Sequence, residues 1–213
     1  MTPPERTLVH LVRHSEVHNP EKVLYGRLPG YRLSARGRAM AQVVAEHLRD
    51  RDVVHVVASS LTRAQETAEP IAAAHGLAIT TDDRVIEAGN SFEGEKVALG
   101  TFLRPGSLRR MYDVRRPSWG EPYADIAARM EAAVAAARTA AAGHEAVIVS
   151  HQLPIWVMRS VVEGRHLWHD PRSRICSLAS VTTLAYAGTE LTALSYAEPA
   201  AALVSEASAS VGA

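Results

Sequence analysis

The feature that most constrains the fold of this chain is a short apolar run at residues 7–12 that ends directly in Arg13 and His14. The run is rich in β-branched and aliphatic residues, which favours a buried strand of a parallel or mixed sheet over a helix. Ligands of open α/β sheets bind beyond the carboxyl ends of central strands, so the side chains of Arg13 and His14 are expected to contact a ligand. A phosphate group fits best, because a guanidinium matches it with two hydrogen bonds and a neutral imidazole can attack phosphorus.

A second apolar run, residues 147–149, ends in Ser150 and His151. Two predicted strands therefore each deliver a histidine at the carboxyl end. Residues 53–58 predict a further buried strand, followed by a helix whose first turn contains Arg63. A cation in that turn opposes the helix dipole, so helix stability does not explain it, whereas a phosphate bound there would. A solvated surface arginine is the alternative interpretation.

Four segments in this order resemble motifs of the histidine phosphatase superfamily, also called the phosphoglycerate mutase-like family. That family carries RHG near its N-terminus, then S-x-L-x-R-A-x-Q-T, then a glutamate after the next strand, and a late S-H-G. The matching segments here are RHS from Arg13, SSLTRAQETA around Arg63, VIEAGNSFEG with Glu87, and SHQ with His151. The resemblance covers roughly residues 7–196, nearly the whole chain.

The sequence departs from these family motifs at several positions. Ser15 and Gln152 replace the two family glycines, and their side chains are expected to narrow the pocket. The second motif reads Gln65 and Glu66 where R-A-x-Q-T is usual. Asn19, the candidate phosphate ligand that the resemblance implies, follows Arg13 one residue sooner than the family spacing predicts.

The order of predicted strands and helices indicates a three-layer α/β/α domain with a mostly parallel central sheet, and the resemblance implies the same α/β architecture. We expect one domain over residues 1–199 and a flexible tail over residues 200–213. A small cap is expected from the loop after Asn19 together with an insertion at about residues 89–123, which Gly and Pro interrupt. The insertion contains five arginines that either meet an anionic substrate or form a solvated basic face: Arg104, Arg109, Arg110, Arg115 and Arg116.

The remaining elements follow from periodicity and caps. Ser34 is a predicted N-cap for a helix that ends before Asp50, and Gly76 a predicted helix stop. The other predictions are an edge strand at 77–80, a helix at about 121–142, a helix containing Pro154 and residues 155–162, and a hairpin of 180–186 with 191–196.

Composition limits the class of protein and its partners. The 23 basic and 23 acidic residues balance, so neither a nucleic acid nor a membrane surface is expected as a partner. The single cysteine, Cys176, excludes an internal disulfide and a cysteine-based zinc site. The segment from His14 to His18 lacks the H-E-x-x-H order of a zinc helix, so no metal is expected. No signal peptide or membrane span is recognisable, and a cytoplasmic enzyme is the default expectation.

The resemblance implies a two-step phosphoryl transfer without a metal or another cofactor. His14 would attack phosphorus, Glu87 would protonate the leaving oxygen, and Arg13, Arg63 and His151 would hold the phosphoryl oxygens, with Asn19 as a further substrate ligand. The leading interpretation is a histidine acid phosphatase-type phosphomonoesterase that acts on a small phosphorylated metabolite. The alternatives are a cofactor-dependent phosphoglycerate mutase and a module that binds phosphorylated ligands without catalysis.

Overall fold

The computed structural model describes residues 6–96 and 119–204, which form one sheet of six strands and four α-helices. The strands are β1 Arg6–Arg13, β2 Val53–Ala58, β3 Ile79–Thr81, β4 Glu145–Ser150, β5 Val181–Ala187 and β6 Glu190–Ala197. The helices are α1 Ala35–Leu48, α2 Thr62–His75, α3 Tyr123–Ala140 and α4 Gln152–Val162. No helix in these two ranges is long and apolar enough to cross a membrane.

The sheet is mostly parallel, as predicted. Its strand order is β3-β2-β4-β1-β5-β6, and the first four of these strands run parallel to one another. The predicted hairpin is β5 and β6: β5 pairs antiparallel with β1, and β6 pairs antiparallel with β5 and forms the edge of the sheet. Because β1 and β4 are neighbours with Arg13 opposite Ser150, the residues that follow both strands emerge side by side.

Successive side chains of a strand point to opposite faces of the sheet, and helices pack on both faces. In β4, Ala146 and Ile148 face the helices α3 and α4, whereas Val147 and Val149 face α1 and α2. Residues of this strand are apolar on both faces because helices cover both faces. The predicted α/β/α arrangement is therefore confirmed.

Most predicted helix ends agree with the structure. The Ser34 hydroxyl accepts a hydrogen bond from the backbone N–H of Gly37 at 2.9 Å, and Gly76 ends α2 in a left-handed conformation with φ of 66°. Helix α3 begins later than predicted, because the backbone N–H of Glu121 donates to the Gly89 carbonyl and Pro122 is the N-cap. It also ends at Ala140 rather than at residue 142.

Backbone contacts hold the two ends of the predicted insertion together. The Ser91 backbone N–H donates to the Trp119 carbonyl at 2.7 Å, and Asn90 bridges to Gly120. The loop after Asn19 contacts the first of these ends, since the Leu24 backbone N–H donates to the Glu95 carbonyl at 2.9 Å. The five predicted cap arginines fall in residues 97–118, outside the described ranges.

The structure describes residues 200–204, the first five of the predicted tail. Ala200 is buried, and a short 3-10 helix, Ala201–Leu203, follows it. Leu203 and Val204 pack against the core between the sheet and helices α1 and α2. Apolar contact therefore extends the domain to Val204, and residues 205–213 lie outside the described part of the chain.

Substituting Gly37 with alanine is expected to lower the free energy of unfolding by about 1–3 kcal/mol. A Cβ atom at this position would overlap the carbonyl oxygen of Glu16, which accepts a hydrogen bond from the Ser34 backbone N–H. Without that overlap, alanine would stabilise a helix by about 1 kcal/mol relative to glycine. Urea denaturation should show the loss for Gly37→Ala; a gain in stability would contradict it. The exposed Ala39→Gly variant of the same helix gives the effect of propensity alone.

Candidate active site

Two predicted histidines meet at the carboxyl edge of the central strands. His14 follows β1 and His151 follows β4, and their ring centroids lie 5.2 Å apart. The His14 backbone N–H donates to the Ser150 carbonyl at 2.9 Å, which continues the parallel ladder beyond the ends of β1 and β4. Both side chains are fully buried. The sheet topology alone therefore places these two histidines next to each other.

The hydrogen bonds of His14 define its tautomer. Its Nδ1 lies 2.8 Å from the Ser15 carbonyl oxygen, which can only accept, so Nδ1 carries the proton. The lone pair is then on Nε2, which has no hydrogen-bond partner among the described residues. Burial, with the nearby Arg63 and Arg13 cations, holds the pKa of His14 well below its usual value. His14 is therefore a neutral imidazole with an available lone pair, the form required of a nucleophile.

His151 is positioned by a serine from a third strand. Its Nε2 lies 2.9 Å from the hydroxyl oxygen of Ser59, directly after β2, and its buried Nδ1 has no partner in the described ranges. Burial, followed by the Arg63 cation, lowers the pKa of His151 as well. When the Ser59 hydroxyl donates to Nε2, the proton of the neutral ring is on Nδ1, which can then donate to a ligand oxygen.

Two buried guanidiniums complete the centre of the site. Arg13 donates from Nη1 to the Cys176 carbonyl at 2.7 Å, and Arg63 donates from Nη2 to the Gly26 carbonyl at 2.7 Å. Arg63 also lies over the Tyr25 ring, 4.7 Å from its centroid. Within residues 6–96 and 119–204, these hydrogen-bond partners are neutral and the Nε atom of each arginine has none. Buried cations without a carboxylate partner favour a bound anion.

The loop after Asn19 folds over the site, as predicted. Tyr25 approaches His14 edge-on with ring centroids 6.4 Å apart and stacks on Tyr31 at 5.0 Å. The Asn19 amide is engaged within this loop, where it donates to the Val23 carbonyl at 2.8 Å and accepts from the Val23 backbone N–H at 3.1 Å. The structure thus gives Asn19 a role in holding the loop, and its binding of a phosphate stays a prediction.

Glu87 is the buried carboxyl of the site. Burial raises its pKa, although the Ala88 backbone N–H, which donates to Glu87 Oε1 at 2.8 Å, and the nearby arginines act in the opposite direction. Arg63 is the first of these arginines, followed by Arg13 and Arg174. A carboxyl with a raised pKa holds its proton to higher pH, which suits a general acid.

The backbone that carries Glu87 is held by hydrogen bonds from the end of β4, from the loop after Asn19 and from α3. The Ser150 hydroxyl donates to the Val85 carbonyl at 2.7 Å, and Arg27 donates from Nε to the Glu87 carbonyl at 2.6 Å. Arg129 of α3 donates to the Ile86 carbonyl at 2.7 Å. These contacts were not predicted, because each depends on which surfaces the tertiary fold brings together.

Residues 65–67 of α2 form hydrogen bonds to the segments around the site. The Thr67 hydroxyl accepts from the Ser15 backbone N–H at 3.0 Å and donates to the Arg63 carbonyl at 2.7 Å, which links α2 to the loop after β1. Gln65 donates to the Ser59 carbonyl at 2.7 Å. The Glu66 carboxylate accepts hydrogen bonds at 2.6 Å from Arg32 and at 2.7 Å from the backbone N–H of Leu33. The shifted pair therefore anchors the backbone around the site.

One charged residue of the site was missed by the sequence reasoning. Arg174 follows α4 in an irregular stretch and interacts electrostatically with Glu87, Tyr123 and Arg13. Its Nη1 lies 3.4 Å from Oε1 of Gln152, one of the two residues that replace family glycines. Gln152 was therefore the available signal, because a polar side chain at that turn requires a partner.

The described residues contain no group of three or more His, Cys, Asp or Glu side chains arranged to hold a metal ion. The model of the histidine phosphatase superfamily, branch 1, matches residues 9–199. The chain belongs to this superfamily. The predicted resemblance is thereby confirmed.

Proteins similar to this chain cover most of its length. Uncharacterized protein Rv0525 of Mycobacterium tuberculosis (strain H37Rv) is 56% identical over 200 residues, covering 93% of this chain and 99% of that protein. A probable phosphoglycerate mutase, GpmB, of Salmonella arizonae is 32% identical over 181 residues, covering 81% and 83%. The solved mycobacterial glucosyl-3-phosphoglycerate phosphatase Rv2419c with inorganic phosphate is 25% identical, with a TM-score of 0.71, covering 94% of this chain and 100% of that chain.

Proposed function

We propose that this histidine phosphatase is a phosphomonoesterase that hydrolyses a small phosphorylated metabolite through a phosphohistidine on His14. The observation that carries the proposal is the state of the His14 ring. It is neutral and fully buried, with a lone pair on an Nε2 atom that lacks a partner in the described part of the chain. Such a nitrogen is costly to bury unless a ligand uses it.

The surrounding charges support a phosphate as that ligand. Arg13 and Arg63 are buried beside His14, and their described hydrogen-bond partners are neutral carbonyl groups. A phosphate monoester dianion would compensate both cations and accept hydrogen bonds from both guanidiniums. Nδ1 of His151 can supply a third donor.

The first step would form the N–P bond and break the P–O bond to the alcohol. His14 Nε2 attacks phosphorus in line, and the proton of Glu87 passes to the leaving oxygen. Arg13 and Arg63 stabilise the charge on the equatorial oxygens, which develops in a water-poor site where fixed cations act strongly. In this proposal the arginines take the electrostatic role that metal ions have in other phosphotransferases, so no metal or other cofactor is required.

The second step would return the enzyme to its starting state. The Glu87 carboxylate accepts a proton from a water molecule that attacks phosphorus, the N–P bond breaks, and inorganic phosphate leaves. Glu87 thus serves as the acid in the first step and as the base in the second. The same group can do both because the first step breaks a P–O bond and the second step forms one, so that each resembles the reverse of the other.

A phosphoglycerate mutase is the second candidate, because the chain is 32% identical to a probable enzyme of that kind. A mutase must return the phosphoryl group to a bound sugar acid before water takes it, so its site must exclude water. The segment available for a cap is modest, since only residues 89–122 separate the Glu87 loop from α3. The short segment favours hydrolysis, as does the 25% identity to a glucosyl-3-phosphoglycerate phosphatase.

We expect net release of phosphate with little isomerisation of 3-phosphoglycerate to 2-phosphoglycerate, even with the bisphosphorylated primer present. The physical reason is access of water to the phosphohistidine. A coupled mutase assay and a phosphate-release assay on one preparation measure both reactions. Isomerisation that is faster than phosphate release would contradict the hydrolase proposal, and binding of phosphate esters without either reaction would favour a non-catalytic module.

A further inference from the structure

Two arginines from different segments hold the backbone that carries the proposed general acid. Arg27, in the loop that folds over the site, donates from Nε to the Glu87 carbonyl at 2.6 Å. Arg129 of α3 donates from Nη1 to the carbonyls of Ile86 and Arg84, at 2.7 Å in each case. Hydrogen bonds from charged donors are stronger than those from neutral ones. The position of Glu87 therefore depends on where the two guanidiniums lie.

Both guanidiniums bind the carboxylate of Glu121, which lies at the C-terminal end of the predicted insertion. Arg129 donates from Nε to Oε1 at 2.8 Å and from Nη2 to Oε2 at 3.1 Å. Arg27 donates from Nη2 to Oε2 at 2.8 Å. The Glu121 and Arg129 side chains are only 18% and 15% exposed, so water and salt screen this pair less than a surface ion pair. We call Arg27, Glu121 and Arg129 the arginine clamp.

The backbone of Glu121 is fixed next to the segment that follows Glu87. Its N–H donates to the Gly89 carbonyl at 3.1 Å. A Cβ atom on Gly120 would lie 2.7 Å from the same carbonyl oxygen, closer than real Cβ atoms approach. Glycine at this position therefore allows the chain before α3 to lie close enough for the Glu121 carboxylate to reach both arginines.

The turn that carries Arg27 is anchored separately from Glu121. The Arg27 backbone N–H donates to Oε1 of Glu93 at 3.1 Å, and the carbonyl of Gly26 accepts from Nη2 of Arg63 at 2.7 Å. Neither contact involves the Glu121 carboxylate. Loss of that carboxylate is therefore expected to release the Arg27 side chain, while the contact between the turn and Arg63 stays in place.

We infer that the arginine clamp positions Glu87 for proton transfer, with Glu121 as the positioning residue at its centre. This inference rests on the proposed phosphatase function. A general acid must lie about 2.6–3.2 Å from the oxygen that it protonates. A displacement of about 1 Å can cost on the order of 100-fold in rate. Without the Glu121 charge the two cations repel each other, so they are expected to move apart together with the carbonyls of Ile86 and Glu87.

The Glu121→Gln variant tests the inference through the dependence of the rate on the leaving group. Glutamine keeps the shape of the side chain but removes the charge that both arginines share. We expect kcat on alkyl phosphates to fall by about 10- to 100-fold, because these substrates need the proton of Glu87. Both kcat on p-nitrophenyl phosphate and KM for the two substrate classes should change far less, since His14, Arg13 and Arg63 stay in place.

The Glu87→Gln background separates positioning from any other effect of the substitution. If Glu121 acts through Glu87, its substitution should have no further effect on alkyl phosphates once Glu87 is glutamine. The double variant should then be as fast as Glu87→Gln alone. Equal losses on alkyl and aryl substrates in Glu121→Gln would overturn the inference. So would a double variant that shows the full loss of both single variants.

A second variant and a control account for effects on the fold. Arg27→Gln changes a side chain that is 38% exposed, and the same selective loss on alkyl phosphates is expected. An unchanged ratio of alkyl to aryl kcat in Arg27→Gln would contradict the inference. The control is Glu46→Gln, because Glu46 forms an exposed ion pair with Arg49 at the end of α1. This variant changes the net charge as Glu121→Gln does, and both of its rates should match wild type.

Hydrogen exchange measures the clamp without turnover and so separates this inference from the proposed reaction. In Glu121→Gln, the backbone amides of residues 85–88 are expected to exchange about 10- to 100-fold faster, the range for loss of a hydrogen bond to a charged group. The amides of β1 should exchange as in wild type. If wild type hydrolyses neither substrate class, the phosphatase proposal fails. The exchange comparison still decides whether the clamp holds Glu87, because equal rates in Glu121→Gln and wild type would refute it.

Discussion

Replacing His14 with alanine is expected to lower turnover of any phosphate ester by more than about 10⁴-fold, as removal of a nucleophile does in other enzymes. Nε2 of His14 is the buried lone pair on which the proposed N–P bond forms. Brief incubation of wild type with ³²P-labelled substrate and a denaturing quench should yield a phosphoprotein that is labile to acid and stable to base. His14→Ala should yield none.

The control for this experiment is His18→Ala, which removes an exposed histidine from the same segment. Its turnover and its labelling should equal those of wild type. Circular dichroism and urea denaturation of His14→Ala should show an intact fold, so that the loss is assigned to chemistry. Label that persists in His14→Ala would contradict the assignment, and label on His151 would move the nucleophile to the neighbouring strand.

The centre of this site could be predicted because it depends on local signals and one topological rule. An apolar run that ends in Arg13 and His14, and another that ends in Ser150 and His151, each predict a strand with polar residues at its carboxyl end. In a parallel sheet such ends share one edge, and here the two strands are neighbours. Arg63 carried its own signal, since a cation in the first turn of α2 opposes the helix dipole and so indicated a bound anion.

The outer part of the site could not be predicted, because it depends on long-range contacts of irregular segments. Arg174 lies in a stretch without helical or strand periodicity, and its hydrogen bond to His169, which packs against Tyr123 and Trp156, exists only in the tertiary fold. Asn19 illustrates the opposite case. Its motif position predicts a ligand, which stays a prediction, whereas the hydrogen bonds of its amide to the backbone of Val23 became visible only in the structure.

The Glu87→Gln variant is expected to lose about 10²- to 10⁴-fold in kcat on alkyl phosphates and much less on p-nitrophenyl phosphate. Glutamine keeps the shape of the side chain but cannot donate the proton that an alkoxide leaving group needs. A nitrophenolate departs without that help. The measurement is the ratio of kcat values for the two substrate classes in each variant.

Glu69→Gln, an exposed substitution on α2, is the matched control and should leave both rates unchanged. Equal losses on alkyl and aryl substrates in Glu87→Gln would show that Glu87 holds the structure rather than the proton. Glu93, whose carboxylate accepts from the Arg27 backbone N–H at 3.1 Å, would then be the next carboxyl to substitute.

The pH dependence gives an independent test of the same role. Burial raises the pKa of Glu87, so the protonated acid persists above the usual range of a carboxyl and activity should fall as pH rises through that raised value. A bound phosphate dianion would raise the pKa further, because it opposes ionisation of a nearby carboxyl. The alkaline limb of kcat for an alkyl phosphate should therefore be present in wild type and absent in Glu87→Gln. A limb that is unchanged in Glu87→Gln would assign the titrating acid to another group.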